Sequence, residues 1–140
     1  MPPLHDDETI DPDQSLLRAL RPGWTALRDD GAERPNRLAF TDGSQETSCF
    51  IDNEVNLAEL RRLFPDAKIC RFRARHARAV AFVLERKPSD CPDGFAGDPT
   101  HHLVIGPAME ISKRDLMRRG DTLCKMEGIE ILPPLVQEEE

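Results

Sequence analysis

Apolar residues fall into a pattern only from residue 15 onward, and the pattern changes several times along the chain. SLLRAL, Ser15 to Leu20, predicts a short apolar helix with Ser15 as its cap, which the turn Arg21-Pro22-Gly23 must stop. DDGAERPNR, residues 29–37, reads as a loop. LAFTDG and TSCFID then form two short β-prone runs on either side of Asp42, Gly43 and Ser44, the pattern of a hairpin. In VNLAELRRLFP, Asn56 is placed to cap a helix, with Glu59 in capping-box register and Val55 and Leu60 as a hydrophobic staple. Leu57, Leu60 and Phe64 share its face, and Pro65 ends it. ISKRDLMRRG repeats the device: Ser112 caps, Asp115 answers, Ile111 faces Leu116, and Gly120 supplies a stop.

Between these helices KICRFRAR alternates Cys70, Phe72 and Ala74 with Arg71, Arg73 and Arg75, the period of a strand with one wet face. HARAV fits a helical turn, FVLERK a strand, SDCPDGFAGDP a loop, HLVIG a buried strand and GIEIL the last strand. The order predicts an α+β fold: one compact domain over residues 15–135, with a small mixed or antiparallel sheet of about four to six strands and about two to three short helices.

Composition narrows this. A chain of 140 residues suits one domain, and 39% hydrophobic residues with one Trp, six Phe and no Tyr imply a modest aliphatic core among proline-rich loops. The net charge of −7 is concentrated at the ends: Asp6, Asp7, Glu8, Asp11, Asp13 and Glu138 to Glu140. Without those eight acids, 18 remain against 19 Lys and Arg. Residues 1–14 and 136–140 are therefore expected to be acidic, disordered tails. With no basic-hydrophobic leader and no long apolar run, the expectation is a cytoplasmic protein outside the membrane. Cys49, Cys70, Cys91 and Cys124 are spaced 21, 21 and 33 residues apart, which suits reduced, mostly buried thiols and neither a metal nor a disulfide framework.

Candidate chemistry gathers at three places. In DPTHHLVIGP, Asp98 before Pro99 suits an Asx-type turn, and adjacent strand residues point to opposite faces, so His101 and His102 cannot share one pocket. One histidine remains, His101 by preference, as a structural residue or as an acid/base partner of Asp98. No metal ligand set and no cofactor motif are evident. Arg34 and Arg37 flank Pro35 on a stiffened turn, able to grip a phosphate or carboxylate or to pair with Asp29, Asp30 and Glu33. From Arg61 to Arg78 seven basic residues face one acid, Asp66, and Arg71, Arg73 and Arg75 are the core of this segment. A body of nearly zero net charge argues against nucleic acid and for an acidic partner surface, or the protein's own acidic tail. Cys49, beside Asp52, suits a buried thiol better than a nucleophile.

Arg34, Pro35 and Phe40, then Ser48, then Asp98, Pro99, His101, Val104 and Gly106 stand in an order that resembles a family of small bacterial proteins without an assigned activity. The resemblance spans about residues 16–135. It implies a bacterial, cytosolic origin and loops that work together, and it names no reaction. The expectation is a non-catalytic accessory or interaction subunit of a larger assembly. The alternatives are a small enzyme on a phosphate-bearing or nucleotide-like ligand, with Arg34 or Arg37 as clamp and His101 with Asp98 as acid/base pair, or a nucleic-acid-binding module.

Overall fold

The computed structural model describes residues 4–27, 29–41 and 46–134. Its elements are β1 (Ser15–Leu20), β2 (Thr25–Leu27), β3 (Glu33–Pro35), β4 (Thr47–Ile51), α1 (Glu54–Leu63), β5 (Lys68–Arg73), α2 (Ala74–Ala79), β6 (Phe82–Arg86), β7 (His102–Pro107), α3 (Lys113–Cys124) and β8 (Glu130–Leu132). Six strands form one sheet in the order β6-β7-β4-β1-β5-β8, and β2 and β3 form a separate ribbon. Each of these pairings is antiparallel. This is the expected α+β architecture.

SLLRAL is not a helix but β1, the strand between β4 and β5. A strand buried on both faces reads as a nearly continuous apolar run, which over six residues cannot be told from a helical turn. Leu16 and Leu20 enter the larger core cluster, and Leu17 the smaller one across the sheet. The larger cluster lies under α2 and α3, where Phe72, Phe82, Leu84, Leu103 and Ile105 meet Leu116 and Leu123. The smaller joins Leu17, Phe50 and Ile69 to Leu60 of α1, with Phe95 stacked 4.7 Å from Phe50. Each fully buried Leu or Phe of these layers contributes about 1.5–3 kcal/mol.

LAF is likewise not a strand. Arg37–Ala39 is a 3-10 turn whose first N–H groups are met by Asn36, with the Leu38 N–H donating to its Oδ1 at 2.9 Å. Ala39 and Phe40 are thereby buried, and Phe40 meets Phe72 edge-on at 5.3 Å. The expected hairpin with TSCFID does not form, because β4 takes β1 and β7 as neighbours; the proposed turn at Asp42, Gly43 and Ser44 lies outside the described residues. Helix α1 starts a turn earlier than expected, since Asn53 is the cap and accepts from the Asn56 N–H at 2.7 Å. Asn56 is instead a buried helical residue donating to the Ile51 carbonyl at 2.8 Å, and Val55 is exposed rather than stapled to Leu60.

Ser112 caps α3 as expected, but Gly120 does not end the helix, which runs on to Cys124. Gly120 is needed for proximity. A Cβ there would stand 2.5 Å from Thr41 Cγ2 and 3.2 Å from the Arg37 carbonyl, so its absence lets α3 seat on the 3-10 turn. Thr41 cannot readily yield, as its hydroxyl donates to that same carbonyl at 2.7 Å.

The N-terminal acidic run is not a free tail over residues 4–14. Leu4 and Ile10 are 5% and 2% exposed, and the Leu4 and Asp7 N–H groups donate to the Ala108 and Leu84 carbonyls. The Leu84 N–H in turn donates to Asp6, and Arg78 and Arg86 hold Asp6 and Asp7. Residues 136–140 lie outside the described residues. No helix among the described residues is long and apolar enough to cross a membrane.

In α2 the third helical residue, His76, takes the part usually played by Glu or Gln: its Nδ1 accepts from the Arg73 N–H at 2.9 Å. Its Nε2 then donates to the Glu127 carbonyl at 2.9 Å. Burial, reinforced by Arg75 and Arg73, holds the imidazole pKa below its usual 6.5.

Two outcomes are expected. Gly120→Ala destabilises by about 1–3 kcal/mol in urea unfolding, because overpacking outweighs the roughly 1 kcal/mol that Ala gains in helix propensity. For His76, the unfolded chain takes up the proton first as pH falls, so its contribution is full above pH 6.5 and is lost below it. The slope is at most about 1.4 kcal/mol per pH unit. His76→Gln keeps the backbone bond and should flatten the slope of stability between about pH 7 and pH 5; an unchanged slope would assign it to other groups.

Candidate functional site

The loop-to-strand junction DPTHH resolves into two separate arrangements. Asp98 caps the 3-10 turn Pro99–His101, accepting from the Thr100 N–H at 2.9 Å and its hydroxyl at 2.8 Å. The Thr100 hydroxyl, then its N–H, hold this carboxyl below the usual carboxylate range. Asp98 thus builds the Asx turn that its place before Pro99 implies. His101 is half-exposed; its Nε2 is 3.7 Å from Asp98 Oδ2, beyond hydrogen-bond reach, while its Nδ1 accepts from Asn56 Nδ2 at 3.2 Å.

The next residue turns the other way. His102 is completely buried, its ring 5.1 Å from Phe50. Its Nδ1 lies 2.7 Å from the Lys87 carbonyl, which can only accept, so the ring proton sits on Nδ1. Nε2 is left to accept from the Ser48 hydroxyl at 3.0 Å. The register pairs Phe50 with His102, which makes Ser48 the diagonal neighbour on the same face. This serine, imidazole and carbonyl chain has the hydrogen-bond order of an activated hydroxyl, with the base sealed beneath the serine.

The two arginines around Pro35 are not brought together. Arg34 in β3 reaches the Cys124 sulfur at 3.6 Å on the α3 side and lines a cavity of about 380 Å³ with Asp29, Asp30 and Lys125. Arg37 lines a different, open hollow of about 500 Å³ with Lys113, Arg114 and Arg118. Neither hollow is lined by Asp98 or His101, whose partner Asn56 belongs to α1 on the opposite face of the sheet. The clamp and the acid/base pair of the enzyme alternative therefore stand apart.

The arginine alternation of β5 ends at Arg73, and Arg75 belongs to α2. Arg71 is drawn inward, bonding Asp52 at 2.8 Å and Glu130 at 3.2 Å. Arg75 pairs with Asp13 at 2.7 Å, both side chains more than half exposed, and Arg73 is exposed at the junction of β5 and α2. Arg75, Arg78 and Arg86 form the ridge along which the N-terminal acids Asp13, Asp6 and Asp7 lie.

A third hollow, a cleft, had no signal in the sequence. It opens where β1 ends and β4 begins, with a volume of about 380 Å³. Its lining joins Arg18, Arg21, Trp24 and Ser48 to the apolar Phe50, Leu60, Phe64 and Pro92. Arg18 is 7% exposed: its Nε donates to the Ala39 carbonyl, its Nη1 to the Ser48 carbonyl at 2.9 Å, and its guanidinium lies 5.2 Å from the Trp24 ring centre. Arg21 sits 5.6 Å from the same ring. Arg18, Arg21 and Trp24 are 30, 27 and 24 positions from Ser48 in sequence, and the β1–β4 pairing brings them together.

Burial pushes the Cys49 thiol up to about 12 and raises those of Cys70, Cys91 and Cys124. Cys49 is a core thiol, as its apolar strand suggested. Among the described residues no group of three or more His, Cys, Asp and Glu is placed to hold a metal ion.

The two adjacent histidines are expected to differ sharply. His102→Ala leaves a cavity and two unpaired polar groups and should cost about 3 kcal/mol in urea unfolding, against under about 1 kcal/mol for His101→Ala. Equal losses would contradict the division of roles.

No family model, curated protein or solved structure matches this chain.

Proposed function

We propose that the protein is a non-catalytic interaction subunit of a larger assembly, in a bacterial cytoplasm, and that it binds an acidic partner surface through its arginine ridge. Arg73 and Arg75 are the contact residues, with Arg71 behind them holding the strand end in place. The observation that supports this is the docking of the chain's own acidic segment on the same ridge: Asp13 on Arg75, Asp6 on Arg78 and Asp7 on Arg86. A surface that accommodates one acidic stretch has the charge and shape to accommodate another. The exposed Arg75–Asp13 pair is worth only about 0–1 kcal/mol, so a partner of higher charge density can replace Asp13 without unfolding anything.

The test uses a fluorescently labelled polyglutamate peptide of about 20 residues, titrated at low salt and followed by anisotropy. The wild-type chain is expected to bind it, Arg73→Glu with Arg75→Glu to weaken binding by about tenfold or more, and Asp13→Asn to tighten it. Added salt should weaken all three. Retention of the peptide by the double Glu variant, or preference for duplex DNA of equal charge, would overturn the proposal. Point substitution is preferable to deleting residues 1–14, which would also strip Leu4 and Ile10 from the packed interior.

A further inference from the structure

Ser48 and His102 form a hydrogen-bonded couple that the arginine ridge does not use. Ser48 is partly exposed and lines the cleft at the β1–β4 end, whereas the His102 ring has no exposed surface. The Lys87 carbonyl holds the Nδ1–H at 2.7 Å, so Nε2 keeps its lone pair for the Ser48 hydroxyl at 3.0 Å. That is the tautomer a general base needs, and the same carbonyl stabilises the imidazolium that forms when the base takes a proton. Phe50, two residues along β4, shares the face of Ser48, and Leu60, Phe64 and Pro92 complete the apolar part of the cleft lining. Phe64 is 42% exposed, which leaves an aromatic surface open at the cleft.

We propose that Ser48 is an acyl-acceptor site, a nucleophile that takes an apolar acyl chain from a thioester or another activated ester. Ser48 Oγ attacks the carbonyl carbon while its proton passes to His102 Nε2. The Oγ–C bond forms, the bond from that carbon to the leaving sulfur or oxygen breaks, and His102 returns the proton to the departing thiol or phenol. Nothing is oxidised or reduced. The lining selects the electrophile: a phosphoryl group would bring its charge against Phe50, Leu60, Phe64 and Pro92, whereas an acyl chain is stabilised by leaving water for them. The cleft volume of about 380 Å³ has room for a chain of about eight carbons. The acylated serine persists, because a hydrolytic water would have to reach Nε2 of a ring that is wholly enclosed. A single transfer per chain is a modification without turnover. It is compatible with a non-catalytic interaction subunit and does not rest on the ridge.

The full chain is incubated with p-nitrophenyl octanoate, or with p-nitrophenyl acetate for comparison. Release of p-nitrophenol is followed, and the modified residue is located by peptide mass spectrometry. The wild-type chain is expected to release about one equivalent in a burst and to carry the octanoyl group on Ser48, at least about tenfold faster than it takes the acetyl group. Ser48→Ala should abolish the burst. His102→Gln, whose amide can donate to the Lys87 carbonyl and accept from Ser48 but takes up no proton, should slow it by about a hundredfold or more. Phe64→Ala, an exposed change, should bring the octanoate rate toward that of acetate and leave acetate unchanged. No acylation of Ser48, a burst that survives Ser48→Ala or is undiminished in His102→Gln, or continued release beyond about one equivalent would overturn the proposal. The residue labelled and the Ser48→Ala result decide the case even if His102→Gln does not fold. The Arg73→Glu, Arg75→Glu variant should keep the wild-type burst, so failure of this proposal is distinguishable from failure of the ridge.

Discussion

One buried guanidinium sets much of this architecture. Alternation along β1 places Arg18 on the same face as Leu16 and Leu20, inside a strand with neighbours on both edges. A buried charge without partners costs several kcal/mol, so the surrounding chain must supply acceptors. The Ala39 carbonyl at the end of the 3-10 turn and the Ser48 carbonyl of β4 do so, and the guanidinium carbon lies over the Trp24 ring, 5.2 Å from its centre. Three segments distant in sequence are thereby held at one point. The turn that carries Phe40 into the core, the start of β4 and the root of the β2–β3 ribbon converge there, and the cleft is the space they leave.

How much of this was legible depended on the range over which the signal acts. The two amphipathic helices, the alternating KICRFR strand and the buried HLVIG strand are local patterns, and each forms as its type predicts, with α1 starting a turn earlier and α3 running on past Gly120. β1 was misread because six residues buried on both faces carry no period that separates strand from helix. Asn56 was taken for a cap because its type suits one, yet Asn53 lies closer to the strand end and captured the first free N–H groups. Gly120 was taken for a stop, whereas tertiary contact with Thr41 decided its place.

The site was less legible than the fold for the same reason. Asp98 and His101 attracted attention by adjacency, and adjacency is what strand geometry uses to divide His101 from His102. Ser48 and His102 are 54 residues apart and meet only because β4 and β7 pair in one register. Arg18 and Arg21 were read as part of a helix and its stop. Charge totals were equally misleading, since the acids that looked like solvated tails are in part counterions of the basic segment.

The docked N-terminal segment also bears on the edge of the sheet. β6 is the outermost strand on its side, and an exposed edge strand is a template for pairing with another chain. Here the Leu84 carbonyl and N–H are taken by Asp7 and Asp6, and Glu85 accepts from the His5 N–H at 2.8 Å. Residues 4–7 therefore act as a sheath over that border. The same aspartates that balance the arginines occupy the donor and acceptor of Leu84 at that edge, so a second copy of the sheet would meet a bonded segment there in place of open backbone groups.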